Sequence, residues 1–207
     1  MRTLYRVDRL GRLVCVNDLG EPEAPRVFIG TGSDGSRVVR VGAGVREREW
    51  RALLRCAGDA EAVRATLETK APVEREHRGP AYALSGDVSA GPRAVPVADP
   101  AVLHPELAPW GPELALRRPC FGVMDGGLVV SICCCARTTP EAAEAGVETA
   151  TGYRGRGLAA KAVAAWAEAV IASGRVAFYS TSRETLASQA VARKLGAVEF
   201  GEDWSLA

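Results

Sequence analysis

The chain has 207 residues and a net charge of +1, from 26 basic and 25 acidic side chains. Nucleic-acid and membrane-surface binding depend on clusters of Lys and Arg, so this balance argues against both kinds of partner. No run of about 18 apolar residues occurs, and the first ten residues lack the apolar core of a signal peptide. We therefore expect a cytoplasmic protein with one large domain, or a medium domain with a smaller companion.

The first ninety residues predict a small α+β domain. Two hairpins are expected, Leu4 to Val7 with Leu13 to Val16, and Arg26 to Ile29 with Arg37 to Val41. Two helical patterns follow, the second with Asp59 as its cap and ending before Pro72. A short strand at Ala81 to Leu84 precedes the small, polar run from Ser85 to Pro92. We place a domain boundary in that run, between residues 1–90 and 91–207.

The next segment is rich in proline, with seven of the twelve prolines between Pro92 and Pro119. Long regular elements are excluded there, but such a segment can form a wall or a lid for a substrate. Beyond it, Cys120 to Met124 and Leu128 to Cys135 predict a hairpin around Asp125-Gly126-Gly127. Arg137 to Ala145 is then expected to be a loop.

Six cysteines are present, and three of them are consecutive: Cys133, Cys134 and Cys135. Neighbours on a strand point to opposite faces, and the spacing of a zinc site is missing. We therefore predict reduced, partly buried thiols and no metal site.

The most informative stretch runs from Gly146 to Ala160. It predicts a short strand from Val147 to Thr151, a turn with two glycines and two arginines, and a helix from about Gly157 to Ser173. Backbone N–H groups at a helix start lack partners within the helix, and the helix dipole adds positive potential there. Glycines that expose these amides suit an anion, so this turn indicates a phosphate site.

The turn also carries a family resemblance. Arg154 to Ala159 reads Arg-Gly-Arg-Gly-Leu-Ala, which resembles the pyrophosphate loop of GCN5-related N-acetyltransferases (GNAT family). The elements after it, strand, helix and strand, are similar in order, and Ser182 to Gly196 resembles the family's Asn-x-x-Ser…Lys-Leu-Gly segment with Thr185 in place of Asn. The resemblance covers residues 120–207 well and 93–119 loosely. It implies an α/β (α+β) GNAT fold with a mixed central sheet flanked by helices, which would follow the additional N-terminal α+β domain predicted above.

Two other interpretations of the turn fit the sequence less well. A dinucleotide fingerprint would need Ala160 as its third glycine and an acidic residue about twenty positions later, and Phe178 to Ser182 contains none. A plain turn with solvated arginines fits the six residues alone, but it does not account for the order of the surrounding elements.

The resemblance assigns roles to particular residues. Backbone groups of Thr149, Ala150 and Thr151 would receive the pantetheine arm and the acetyl carbonyl of acetyl-CoA. The other expected cofactor contacts are Arg154, Gly155, Arg156, Gly157, Leu158, Ala159 and Ser188.

Two side chains are expected to move protons. Glu148, in the strand before the loop, is the expected general base for the amine. Many relatives protonate the thiolate with a tyrosine where this chain has Ala192, so Tyr179 is the candidate acid, with Tyr153 or water as alternatives.

Other residues carry less chemistry. His77 and His104 are expected in solvated loops, and the consecutive cysteines lack a nearby activating base. Trp110, in the proline-rich segment, is a candidate wall for the acceptor pocket.

The resulting hypothesis is an enzyme that transfers an acetyl group directly from acetyl-CoA to a primary amine of a small molecule or peptide. The alternatives are a non-catalytic acyl-CoA-binding module and a protein-interaction module. The sequence does not identify the acceptor, the acyl length, the role of residues 1–90 or the existence of a homodimer.

Overall fold

The structure is a computed structural model, and it describes residues 2–85 and 94–207. The boundary expected at 90/91 lies outside the described residues. The chain forms two compact units: residues up to 81 with 181–184 and 199–207, and residues 82–180 with 185–198.

The first unit begins with the two expected hairpins. Their strands are antiparallel: β1 (Tyr5–Val7) with β2 (Leu13–Val16), and β3 (Val27–Gly32) with β4 (Arg37–Val41). The helices α1 (Glu47–Cys56) and α2 (Ala60–Glu68) follow. Asp59 caps α2 as predicted, because its Oδ1 accepts hydrogen bonds from the amides of Glu61 and Ala62 at 3.0 and 3.1 Å.

The sheet of the first unit has the order β4-β3-β11-β5, where β5 is Glu76–Leu84 and β11 is Val198–Leu206. β11 pairs antiparallel with β3 from Gly201↔Gly32 to Leu206↔Val27. The sequence predicts only the apolar end of β5. Its polar start joins the sheet through side chains, since Trp204 Nε1 donates to Glu76 Oε1 at 2.7 Å and Arg78 Nε donates to Glu202 Oε1 at 2.7 Å.

Apolar side chains from the strands and both helices form the core of this unit. They are Val27, Ile29, Val41, Leu53, Val63, Leu67, Trp204 and Leu206.

The second unit contains five strands in the order β10-β9-β8-β7-β6. They are β6 (Val95–Pro96), β7 (Phe121–Asp125), β8 (Leu128–Thr138), β9 (Ala142–Thr149) and β10 (Val176–Ser180). β7 and β8 form the predicted hairpin, and Gly126 and Gly127 take the positive φ values of 56° and 83° that such a tight turn requires. All neighbouring pairs are antiparallel except β9 with β10, which is parallel.

The sheet is covered differently on its two faces. Cys133 and Cys135 of β8 belong to the same apolar cluster as Trp166 of helix α3 (Leu158–Ala172) and Ala192 of helix α4 (Leu186–Lys194). Cys134 belongs to another cluster, formed with residues of the proline-rich part of the chain. We call the 3-10 helix Pro105–Glu113 in that part the strap. The alternation of the three cysteines therefore follows the strand period.

The thiols of Cys133, Cys134 and Cys135 are unsuited to nucleophilic chemistry. All six cysteines are free. Burial raises the pKa of the Cys133 and Cys135 thiols, and a hydrogen bond with Cys120 followed by burial raises that of Cys134. These thiols therefore stay protonated and serve as small apolar side chains.

The prediction of a loop from Arg137 to Ala145 is wrong. β8 continues to Thr138, and β9 begins at Ala142. Alanines and a glutamate give no strand pattern in the sequence, but Ala142 and Ala143 are buried and pair with β10. Tertiary packing therefore overrides the low strand propensity of these residues.

A buried carboxylate fixes the junction of β9 with β10. Glu144 is 2% exposed, and it accepts hydrogen bonds from the Arg137 guanidinium and from the Ser180 hydroxyl. Glu144 pairs with Phe178, and this is the last residue pair between β9 and β10.

In the part of the chain that the structure describes, no helix has the length and apolar character needed to cross a membrane.

We expect Glu144→Ala to lower the free energy of unfolding by about 3–5 kcal/mol, because the substitution leaves a partly buried guanidinium without its carboxylate. Glu144→Gln should cost less, since an amide oxygen still accepts hydrogen bonds. The measurement is denaturant unfolding, with Glu141→Ala at the exposed neighbouring glutamate as the control. Equal midpoints for Glu144→Ala and Glu141→Ala would contradict the expectation.

Candidate active site

The site begins where β9 and β10 separate. The strands pair only at Val176↔Ala142, Ala177↔Ala143 and Phe178↔Glu144. β9 then continues to Thr149, with β8 still paired along its other side as far as Ser131↔Thr149. The second half of β9 therefore has one edge that β10 does not cover, and an extended ligand can lie along such an edge.

The predicted phosphate turn lies directly after β9. Thr151–Tyr153 forms one 3-10 turn, and α3 begins at Leu158. Gly155 and Gly157 have φ values of 74° and 73°, a conformation that L side chains rarely adopt. Among the described residues other than Arg154, Gly155 and Arg156, no heavy atom lies within 4 Å of the position that a Cβ of Gly155 would take, so the backbone here is open to a ligand.

The start of α3 is suited to an anion. Gly157 is its N-cap, and the first turn contains only Leu158, Ala159, Ala160 and Lys161. The helix dipole therefore acts at this point without a compensating carboxylate in the turn.

Basic side chains surround the turn. Arg154 Nε donates to the Thr149 carbonyl at 3.0 Å, and an Arg156 Nη donates to the Gly152 carbonyl at 3.0 Å. Lys194, the last residue of α4, places its Nζ 2.6 Å from where a Cβ of Gly157 would lie. Lys194 was not predicted as a site residue, although it belongs to the Lys-Leu-Gly segment of the resemblance.

A cavity of about 370 Å³ adjoins this turn and the first turn of α3. Arg156 and Lys161 supply two cations to its lining, and Tyr153 supplies an aromatic ring. The remaining lining residues are Val95, Val123, Met124, Asp125 and Leu158.

The amides expected to hold the pantetheine arm are partly engaged within the protein. Ala150 N–H donates to the Val130 carbonyl at 2.9 Å, and Ala150 is buried. The N–H and the hydroxyl of Thr151 both donate to Glu106 Oε2 of the strap, at 2.9 and 2.7 Å. These two hydrogen bonds lower the pKa of the Glu106 carboxyl, so that it remains ionised.

Thr149 and the strap complete this part of the site. The Thr149 hydroxyl shares a hydrogen bond of 2.8 Å with the Ser131 hydroxyl. His104, immediately before the strap, packs edge to face against Tyr153 at 5.8 Å, and its Nδ1 accepts from the Glu106 amide at 3.3 Å. His104 therefore packs against Tyr153 of the turn after β9, whereas the sequence predicts a solvated side chain.

Glu148 lies on the uncovered half of β9 and is exposed. Its Oε2 accepts a hydrogen bond of 2.7 Å from Trp110 Nε1 of the strap. The structure thus brings the expected base and the expected wall of the acceptor pocket into direct contact.

The residues Tyr179 and Ser188 interact with each other. The Tyr179 hydroxyl lies 2.6 Å from Ser188 Oγ, and Tyr179 is 2% exposed. Burial raises the pKa of Tyr179, so the phenol keeps its proton. Ala192, at the position where many relatives have tyrosine, is fully buried. Among the described residues no group of His, Cys, Asp and Glu is arranged to hold a metal ion.

The C-terminal part of the chain is similar to a known protein family. The family model described as GNAT acetyltransferase matches residues 119–204. No curated protein sequence matches the chain.

Solved structures with the same fold are distant in sequence. An acetyltransferase of the GNAT family from Colwellia psychrerythraea has a TM-score of 0.54 and 16% identity, over 87% of this chain and 81% of that one. A GCN5-related N-acetyltransferase-like protein from Streptococcus suis has a TM-score of 0.51 and 18% identity, over 89% and 85%.

A third structure, assigned to the GNAT family, comes from Novosphingobium aromaticivorans, with a TM-score of 0.53 and 23% identity. The match covers 65% of each of the two chains. At these identities the structures show the fold alone. The strand, the glycine turn and the helix of this site lie within the residues that are similar to the GNAT acetyltransferase family model.

Proposed function

We propose that the chain is an N-acetyltransferase that uses acetyl-CoA and acts on a primary amine. The GNAT family and fold support acyltransferase activity. The observation that carries the finer proposal is the combination of an uncovered half of β9 with an open glycine turn at the start of α3.

The diphosphate of the donor is held at that turn. Gly155 and Gly157 leave the backbone accessible, and the N-terminus of α3 supplies amides and a positive potential. Arg154, Arg156 and Lys194 add positive charge around it. The adjoining cavity offers Arg156 and Lys161 to the remaining phosphate of the donor.

The thioester arm lies along the uncovered edge of β9. Beyond Glu144, this edge provides backbone groups at the spacing of an extended chain. The arm then reaches the level of Glu148, where the acceptor amine is activated. Positioning of this kind contributes much of the rate of a transfer between two bound reactants.

The chemical step follows from Glu148. Its carboxylate takes a proton from the ammonium group of the acceptor, and the neutral amine attacks the thioester carbonyl carbon. A C–N bond forms and the carbonyl electrons move to oxygen, where backbone N–H groups stabilise the charge. The C–S bond then breaks and the nitrogen releases its second proton to solvent, giving the amide and a thiolate that takes up a proton. We retain Tyr179 as the proposed donor of that proton, since its phenol is held protonated beside Ser188.

The alternative is a module that binds acyl-CoA without turnover, which the buried Ala192 favours because it supplies no hydroxyl. Release of free thiol from acetyl-CoA with a panel of primary amines separates the two functions. Donor binding without thiol release for any amine would favour the module. Absence of donor binding would contradict both.

We expect Glu148→Gln to lower kcat about 100-fold or more, the contribution usual for a general base, without changing the dissociation constant for CoA. The measurements are thiol release and calorimetry. Glu168→Gln, at an exposed glutamate of α3, is the matched control and should behave as the wild type. Full activity of Glu148→Gln would remove Glu148 from the mechanism.

We expect Lys194→Ala to raise the dissociation constant for CoA about 3- to 5-fold, since an exposed ion pair contributes up to about 1 kcal/mol. The difference from wild type should shrink as salt is added, because salt screens exposed charges. Titration calorimetry at two ionic strengths measures both effects. Lys70→Ala, which removes a lysine of the first unit, serves as the control, and an equal effect of the two substitutions would contradict the assignment.

A further inference from the structure

We propose that Trp110 is a positioning residue for Glu148, an inference that rests on the proposed function. Its indole N–H holds Glu148 Oε2 at 2.7 Å and leaves Oε1 as the oxygen that takes the proton from the amine. The hydrogen bond joins the strap to β9 across 38 positions of sequence. Glu148 is exposed, and an exposed glutamate without such a partner samples several rotamers.

A missing side chain on β9 lets the indole approach the strand. A Cβ at Gly146 would lie 3.1 Å from Cη2 of Trp110, which is closer than side chains normally pack. Gly146 lies two residues before Glu148, so both side chains would point to the same face of β9. The glycine therefore makes room for the ring at the place from which the N–H reaches the carboxylate.

The Arg117 guanidinium, in the same unit as Trp110, forms a cation–π contact with the indole ring. The Arg117 guanidinium carbon lies 5.9 Å from the centroid of the Trp110 ring. Arg117 is itself fixed, because its Nε donates to Glu113 Oε2 at 2.6 Å and its Nη1 to the Ala136 carbonyl at 2.9 Å. Packing against Gly146 and the charge of Arg117 thus fix the position of the indole. The hydrogen bond from the indole in turn fixes the position of the Glu148 carboxylate.

The function of the bond is to restrict the carboxylate to one orientation before the acceptor binds. General-base catalysis depends on the distance between the base and the proton, so a fixed carboxylate raises kcat more than it affects donor binding. A hydrogen bond from a neutral donor to a carboxylate is also stronger than one between neutral groups, which makes it suited to this task.

The test compares Trp110→Phe with Trp204→Phe. Trp204 donates its indole N–H to Glu76 at the same distance of 2.7 Å, but both residues belong to the first unit, so it is a chemically matched control. We expect Trp110→Phe to lower kcat about 10-fold or more with an unchanged KM for acetyl-CoA, the effect of losing one hydrogen bond to a charged group. Trp204→Phe should leave kcat unchanged.

The double variant shows whether Trp110 acts through Glu148. In the Glu148→Gln background, Trp110→Phe should cause no further loss, because the base that it positions is already absent. Losses that multiply in the double variant, or a kcat of Trp110→Phe equal to that of the wild type, would overturn the proposal.

A measurement without turnover completes the test. The indole ¹H resonance of Trp110, identified by its loss in Trp110→Phe, should move upfield in Glu148→Gln more than the other indole signals do. An unmoved resonance would overturn the inference even if the enzyme is active. Conversely, a wild-type protein that transfers to no amine refutes the proposed function, while the resonance still decides whether the hydrogen bond exists.

Discussion

The separation of β9 from β10 is the constraint on which the site depends. Parallel strands that remain paired leave no edge for a ligand, and here the pairing ends after three residue pairs. The buried Glu144, bound by Arg137 and Ser180, fixes the last of them. Every element of the proposed site that follows in the chain, from Glu148 to the start of α3, lies beyond this point. Burying the Glu144 carboxylate costs free energy, and this residue lies at the point where β9 and β10 separate.

The parts of the fold that could be predicted are those with local causes. Gly126 and Gly127 require a tight turn, Asp59 caps a helix, and the glycines at 155 and 157 precede a helix with an apolar face. The first half of β9 could not be predicted, because its alanines form a strand only through burial and pairing with β10. Local pattern was sufficient where a residue's own conformation decides the structure, and insufficient where distant packing does.

The site divides in the same way. The proposed phosphate turn can be predicted from six consecutive residues, which lie within the stretch that is similar to the GNAT acetyltransferase family model. The contacts of the strap are not readable, because Glu106 reaches Thr151 across 45 positions and Trp110 reaches Glu148 across 38. The resemblance predicts the donor side of the proposed site, which consists mainly of backbone groups. The acceptor side of the proposed site depends on long-range side-chain contacts, and such contacts differ among proteins of one fold.

The last strand links the two ends of the chain. β11 follows α4 in sequence, but it pairs with β3 along six residues of the first unit, from Gly201 to Leu206. A fragment starting at residue 91 would keep β11 and lose β3, leaving a row of amides and carbonyls bare along that strand. Such a fragment would be prone to self-association in solution. The N-terminal residues therefore protect the backbone edge of the C-terminal strand from pairing with another molecule.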